Sequence, residues 1–234
     1  MYIWILNDTI MKKRMALFVL SVIMFSCSND ENKENIVGED GIIENIEISN
    51  LSSSGFPWAG VADGKLKRWD IENQGLIPVK TNGEARAITA MDEIEEVLGR
   101  IIFDRTSIAN TPDNEITRGL IVSVGTAIGP GGVVDSNTCG MVSEAVGSTG
   151  YPSNFCNENG VINTKLYVHF DSAGCTADLK VAIHEFGHAL GVADHFEGFG
   201  IGDAINGNFW NVLYNIYANE IGTVKENLII EKVK

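Results

Sequence analysis

Basic side chains are scarce in this sequence: 17 Lys and Arg stand against 31 Asp and Glu over 234 residues, a formal charge of −14. Nucleic acid binds by neutralising its phosphates, so so acidic a chain excludes it as a partner. Cysteine is also rare, at four residues with no CxxC spacing. That removes a cysteine-rich metal knuckle, and no local signature marks a cysteine nucleophile. No apolar run reaches the ~20 residues that a membrane-spanning helix needs. The glycines of "GTAIGPGG", residues 125–132, are followed by no GK[ST] and form no GxGxxG, so they read as a flexible rim loop and not a phosphate loop. The acidic balance permits Ca2+, yet no DxDxDG loop is present to hold it. Methionine is missing after Met141.

What is present begins with an export signal. Met11-Lys12-Lys13-Arg14 is a basic flank, Met15 to Phe25 an apolar run, and Ser26 precedes Cys27. Met24-Phe25-Ser26-Cys27 resembles a bacterial lipobox, which implies a lipid anchor on Cys27 and places the chain in the bacterial cell envelope, at the outer membrane and surface-exposed, or secreted. Met11 is a plausible alternative start. Beyond residue 27 the balance becomes 14 basic against 30 acidic side chains. Residues 28–60 read as an acidic flexible tether, with seven acids to one lysine up to Gly55. Residues 61–234 suffice for one domain, expected to act as a monomer. Three cysteines remain there, Cys139, Cys156 and Cys175; in an oxidising compartment one disulfide is expected, with the pairing open.

The domain alternates strands and helices. Leu76–Val79 reads as a strand, and apolar residues from Ile88 to Ile102, spaced by three and four, predict a helix of about five turns. Residues 117–128 and 165–171 are further strands, with a Gly, Ser and Asn-rich stretch, 129–163, read as loops. The fold class is therefore α+β: a twisted mixed sheet packed on a helix over 177–190. Thr176 is its expected N-cap, and Gly191 suits the left-handed position after its end.

That last helix carries the chemistry. In "HEFGHALGVADHFEG", residues 184–198, His184 and His188 lie four residues apart, hence about 40° apart on one helix face. Two imidazoles so placed can share one metal ion. Glu185 lies about 100° round, off the ligand line, where it can take a proton from an attacking water without binding the metal. A zinc ion with three protein ligands keeps a fourth position for that water and acidifies it. Phe209, Val212, Leu213, Ile216 and Tyr217 are spaced as an amphipathic helix.

The motif resembles that of the metzincin metallopeptidases, HExxHxxGxxH or HExxHxxGxxD, and "HEFGHALG" is particularly similar to matrixins. "RWDIENQGLIPVKTNG", residues 68–83, more weakly resembles the opening of a matrixin catalytic domain. The likeness covers residues 66–215 as an order of elements and is specific only over 184–198. It implies one catalytic Zn2+, a protein or peptide substrate, and hydrolysis with Glu185 as general base. Two departures stand out. The third-ligand position holds Asp194, followed by His195; the snapalysin branch uses such an aspartate, while histidine is the commoner zinc ligand. We take His184, His188 and His195 as the metal ligands, with Asp194 as the alternative to His195. The family's methionine turn is also missing: "NVLYNIY", residues 211–217, is either that turn with Leu213 in place of methionine, and Tyr217 a possible oxyanion donor, or the amphipathic helix. The resemblance further places the strand 165–171 at the cleft edge, with His169 on it read as structural. The competing expectation is a surface binding lipoprotein that keeps such a fold without turnover.

Overall fold

The computed structural model describes residues 37–52, 61–129, 132–133 and 138–233. The export signal, Cys27 and the first part of the expected tether lie outside these residues. No helix among them is long and apolar enough to cross a membrane.

The tether reading is overturned between Glu39 and Leu51. Helix α1 (Glu39–Ile46) runs on into a π-helical turn, Glu47–Leu51. Ile42, Ile46 and Leu51 recur at four- and five-residue steps and are buried in the core, while Glu39, Asp40 and Glu47 stay on the wet side. Acidic composition thus concealed a narrow apolar stripe. The turn is stitched down by Asn50, whose Nδ2 donates to the carbonyls of Lys67 (2.7 Å) and Gly191 (2.8 Å). The buried Lys67 ammonium donates to the carbonyls of Asn50 and Leu51, satisfying groups that the end of the helix leaves open. Burial pushes the Lys67 ammonium down to about 8.

The remainder is a mixed α+β layer. Strands β1 (Arg68–Trp69) and β6 (Val161–Ile162) pair in parallel beside the main sheet. The main sheet has five strands in the order β3-β2-β4-β7-β5: β2 (Ile77–Lys80), β3 (Phe103–Asp104), β4 (Gly119–Val124), β5 (Gly140–Ser143) and β7 (Lys165–Phe170). All run parallel except β5, which lies antiparallel to β7 with Met141 opposite His169. Leu120 and Val122, with Leu166, Val168 and Phe170, face the core under two helices, α2 (Ala85–Leu98) and α3 (Leu179–Ala189). Strand period two turns Ile121 and Tyr167 to the other face, against Ile116. Phe186 of α3 meets Phe103 and Phe170 at ring distances of 5.7 and 6.4 Å, locking the helix onto the sheet.

Helix α2 buries Met91, Ile94 and Leu98 of the expected face together with Ala87 and Ala90, while Ile88 is exposed and Val97 half-buried, and it is a turn shorter than expected. It stops at Gly99, which takes the left-handed conformation at φ 64°. The Glu95 carboxylate then accepts the amides of Ile102 and Phe103, at 2.9 Å each, and launches β3. Ile101 is left exposed. Two short strands, β8 (Phe196–Glu197) and β9 (Gly200–Ile201), precede helix α4 (Gly207–Ala218).

The loop reading of 129–163 is corrected at β5 and β6, and the strand 165–171 is not an edge. It becomes β7, enclosed between β4 and β5, and β5 is the strand at the sheet margin. His169 is fully buried on β7, its Nδ1 2.7 Å from Thr126 Oγ1 and its Nε2 2.8 Å from Ser143 Oγ. Burial pushes it down to about 4, so the neutral ring is the native form. Between pH 6.5 and 4 the unfolded chain binds a proton at this residue that the native chain does not, so stability falls as pH drops. The effect is up to about 3 kcal/mol, complete near pH 4 and absent above pH 7. Urea midpoints at pH 7 and 4.5 should therefore differ by less in His169→Gln than in the parent; an equal difference would contradict the assignment.

Candidate metal centre

Helix α3 starts at Asp178, not Thr176: the Asp178 carboxylate accepts the amide of Val181 at 2.8 Å. The approach to it is fixed by Arg86 of α2, which donates to Asp171 Oδ1 and to the carbonyl of Ala177, both at 2.7 Å. A disulfide between Cys139 and Cys175 ties this approach to the start of β5, and Cys156 is the free, buried thiol. At the far end the indole of Trp69 donates to the carbonyl of Ala189 at 2.9 Å. Gly191 follows at φ 109°, where a side chain would also collide with the carbonyl of Lys67, 2.8 Å from an added Cβ. The helix is therefore anchored at both ends, and the chain turns back across its open face.

The turn brings His195 to the two helix histidines. Its Nε2 lies 3.1 Å from Nε2 of His184 and 3.2 Å from Nε2 of His188. His184 Nδ1 donates to the carbonyl of Ala204 (2.9 Å) and His188 Nδ1 to that of Val192 (2.7 Å). A carbonyl only accepts, so both rings carry their proton on Nδ1 and present a bare Nε2 lone pair inward. Burial pushes His184 down to about 4 and His188 well below its ordinary value, and burial also lowers His195. The rings are neutral, as metal ligands must be. Two lone pairs aimed at one nitrogen cannot both be met by its single proton, whereas a cation at the centre satisfies all three. Nitrogens bound to zinc at about 2.05 Å in a tetrahedron stand roughly 3.3 Å apart, close to the spacing here. The three histidines could thus hold a metal ion.

Asp194 is not in this cluster. Its carboxylate turns back to accept the amide of His195 at 2.8 Å, capping the turn that delivers His195. Beneath the rings lies Phe199, stacked on His184 at 4.2 Å and on Phe209 of α4 at 5.0 Å. Sequence reasoning missed this floor. The signal available was glycine on both sides of Phe199: Gly198 and Gly200 take positive φ, and a Cβ on Gly200 would fall 2.4 Å from His195 Cδ2. Gly187, inside the motif, likewise leaves room for Phe209, 2.7 Å from where a Cβ would sit. Residues 211–217 are α-helical, which decides that alternative. Tyr217 is buried and its hydroxyl donates to the carbonyl of Leu190 at 3.3 Å, so it is no oxyanion donor.

The centre opens on a cavity of about 800 Å³ lined by His184, Glu185, His188, His195, Gly140 and Tyr151. Burial pushes the Glu185 carboxyl up to about 8. The carboxylate packs against the backbone of β5 so closely that a Cβ on Gly140 would lie 2.6 Å from Glu185 Cγ and 2.7 Å from Oε1. Gly140→Ala should therefore displace the carboxylate, leaving metal content unchanged and lowering any turnover about 100-fold, the usual effect of a ~1 Å misplacement. Steady-state rates beside metal analysis check this. A second cavity, of about 710 Å³, holds Arg68 and Arg100, but both guanidiniums already donate to Glu72, at 2.9 Å each.

Compared with protein-family models, curated proteins and solved structures, the chain matches none.

Proposed function

We propose that the chain is a zinc-dependent endopeptidase of metzincin type that cleaves extracellular proteins or peptides. One observation carries this reading: three imidazole Nε2 atoms converge on one point in a cleft, two of them with their protons held on Nδ1, and the Glu185 side chain lies beside them and outside the ligand set. The donor set fits zinc, since neutral imidazoles suit it and three of them leave a position open. When bound, the ion supplies Lewis acidity to a carbonyl oxygen and to water. The positive charge of a bound ion beside it would bring the buried Glu185 carboxyl down to its ionised form, and Glu185 then acts through its own atoms: a carboxylate oxygen takes a proton from the attacking water and hands it to the leaving nitrogen. Strand β5, the margin of the sheet among the described residues, starts at Gly140 beside Glu185 and offers main-chain groups to an extended substrate. This replaces the strand 165–171 in that role. The lipid anchor on Cys27 would hold the domain at the bacterial envelope. A binding lipoprotein without turnover is the second reading, favoured by the missing methionine turn, since residues 211–217 are helical.

Untagged protein starting after Cys27 should carry about one zinc per chain and cleave a broad peptide library, and a chelator should abolish the cleavage. Zinc without cleavage would favour the binding reading, and no zinc would remove the peptidase.

A further inference from the structure

Helix α4 and the residue that caps its end bury Asn211, Asn215 and Asn219, spaced by four on one face. Asparagine is a poor helix former and a costly residue to bury, so three in register ask for a reason. Each fixes its own amide by donating one Nδ2 proton to the carbonyl four residues back: Asn211 to Gly207 (2.8 Å), Asn215 to Asn211 (2.7 Å) and Asn219 to Asn215 (2.9 Å). The helix alone therefore orients the three Oδ1 atoms outward. Those atoms accept the main-chain amides of Val233 (2.9 Å), Glu231 (2.8 Å) and Ile229 (2.9 Å). The second Nδ2 protons of Asn215 and Asn219 donate to the carbonyls of Glu231 (2.6 Å) and Ile229 (2.8 Å). Two extended residues advance about 6.6 Å and four helical residues about 6 Å, so the two registers match.

We infer that this face of α4 is a preformed groove that reads the main chain of an extended peptide, filled in cis by residues 228–233 and able to take an extended segment with apolar residues at alternate positions from another chain. Recognition rests on backbone groups at positions 229, 231 and 233, which any residue but proline supplies. The side-chain demand falls between them: Leu228 and Ile230 pack on the core while Ile229 is exposed. Tyr214 adds one polar contact, donating to the Glu231 carboxylate at 2.9 Å. The groove is distinct from the metal cleft in its residues and in its chemistry.

Ile229→Pro with Glu231→Pro removes two of the amide donors from the cis occupant and leaves the groove untouched. A labelled peptide of sequence NLIIEKV, residues 227–233, should bind that full-length variant at least tenfold more tightly than it binds the parent, read by fluorescence anisotropy. Adding Asn215→Ala should abolish the gain. A folded double-proline chain that binds no peptide, or binding indifferent to Asn215→Ala, overturns the inference. Should the prolines prevent folding, hydrogen exchange on the unaltered chain decides. The amides of Ile229, Glu231 and Val233 are expected to exchange together, at least tenfold faster than those of Ile121 and Val122 in β4. Equal rates would make 228–233 a permanent part of the fold and sink the exchangeable groove.

Discussion

Glu185→Ala should leave metal content within about twofold of the parent and lower peptide hydrolysis by roughly 10²–10⁴-fold, the range that a positioned acid–base group contributes. Both halves come from position. The side chain leaves α3 about 100° round from His184, so it is not drawn to the point where the three imidazoles meet. It lies instead along the cleft wall against Gly140, within reach of whatever occupies the space in front of the histidines. Glu185→Gln should lose as much as Glu185→Ala: it keeps the shape and the packing on Gly140 and lacks only the basic oxygen. Metal analysis and steady-state kinetics on the same preparations separate the outcomes. A variant that cuts as fast as the parent would strip Glu185 of its proton-transfer role, and one that loses its metal would make it a structural partner of the histidines.

The parts of this site written into local spacing were legible in the sequence; the parts made by distant contacts were not. His184 and His188 share a face because four residues make one turn, and the strands β4 and β7 follow from short runs of β-branched and aromatic residues. The N-cap moved from Thr176 to Asp178 because the approach is held by Arg86 and by the Cys139–Cys175 bridge, partners 36 or more residues away. Strand β5 was hidden because "GMVS" is short and opens with glycine, a poor strand former whose missing side chain makes room for Glu185. Helix α1 was hidden by its acids. Its stripe of Ile42 and Ile46 only becomes a reason to fold once Lys67 and Gly191 offer carbonyls to Asn50. Phe199 carries no spacing signal at all, since it works by stacking between a ring from α3 and one from α4.

His195→Ala should weaken metal binding by about 100-fold or more, beyond the 10–100-fold that loss of a ligand's supporting partner costs, whereas Asp194→Ala should stay within that range. The motif alone left these two residues in competition, because the chain after Gly191 passes both close to the centre. What separates them is the turn. The Asp194 carboxylate is committed to the amide of the next residue, and that hydrogen bond holds the backbone so that the following side chain enters the cluster. Gly200 then clears the space that the His195 ring occupies, and Phe199 supplies a ring 5.7 Å away at 61° for it to lean on. Asp194 would therefore act on a bound metal only through His195, and Asp194→Asn, which keeps an acceptor oxygen for the same amide, should restore most of what Asp194→Ala loses. Direct ligation by Asp194 would reverse the order: Asp194→Ala and Asp194→Asn would both lose the metal while His195→Ala kept it. Competition against a chromogenic zinc chelator on the three variants and the parent distinguishes the two arrangements in one titration.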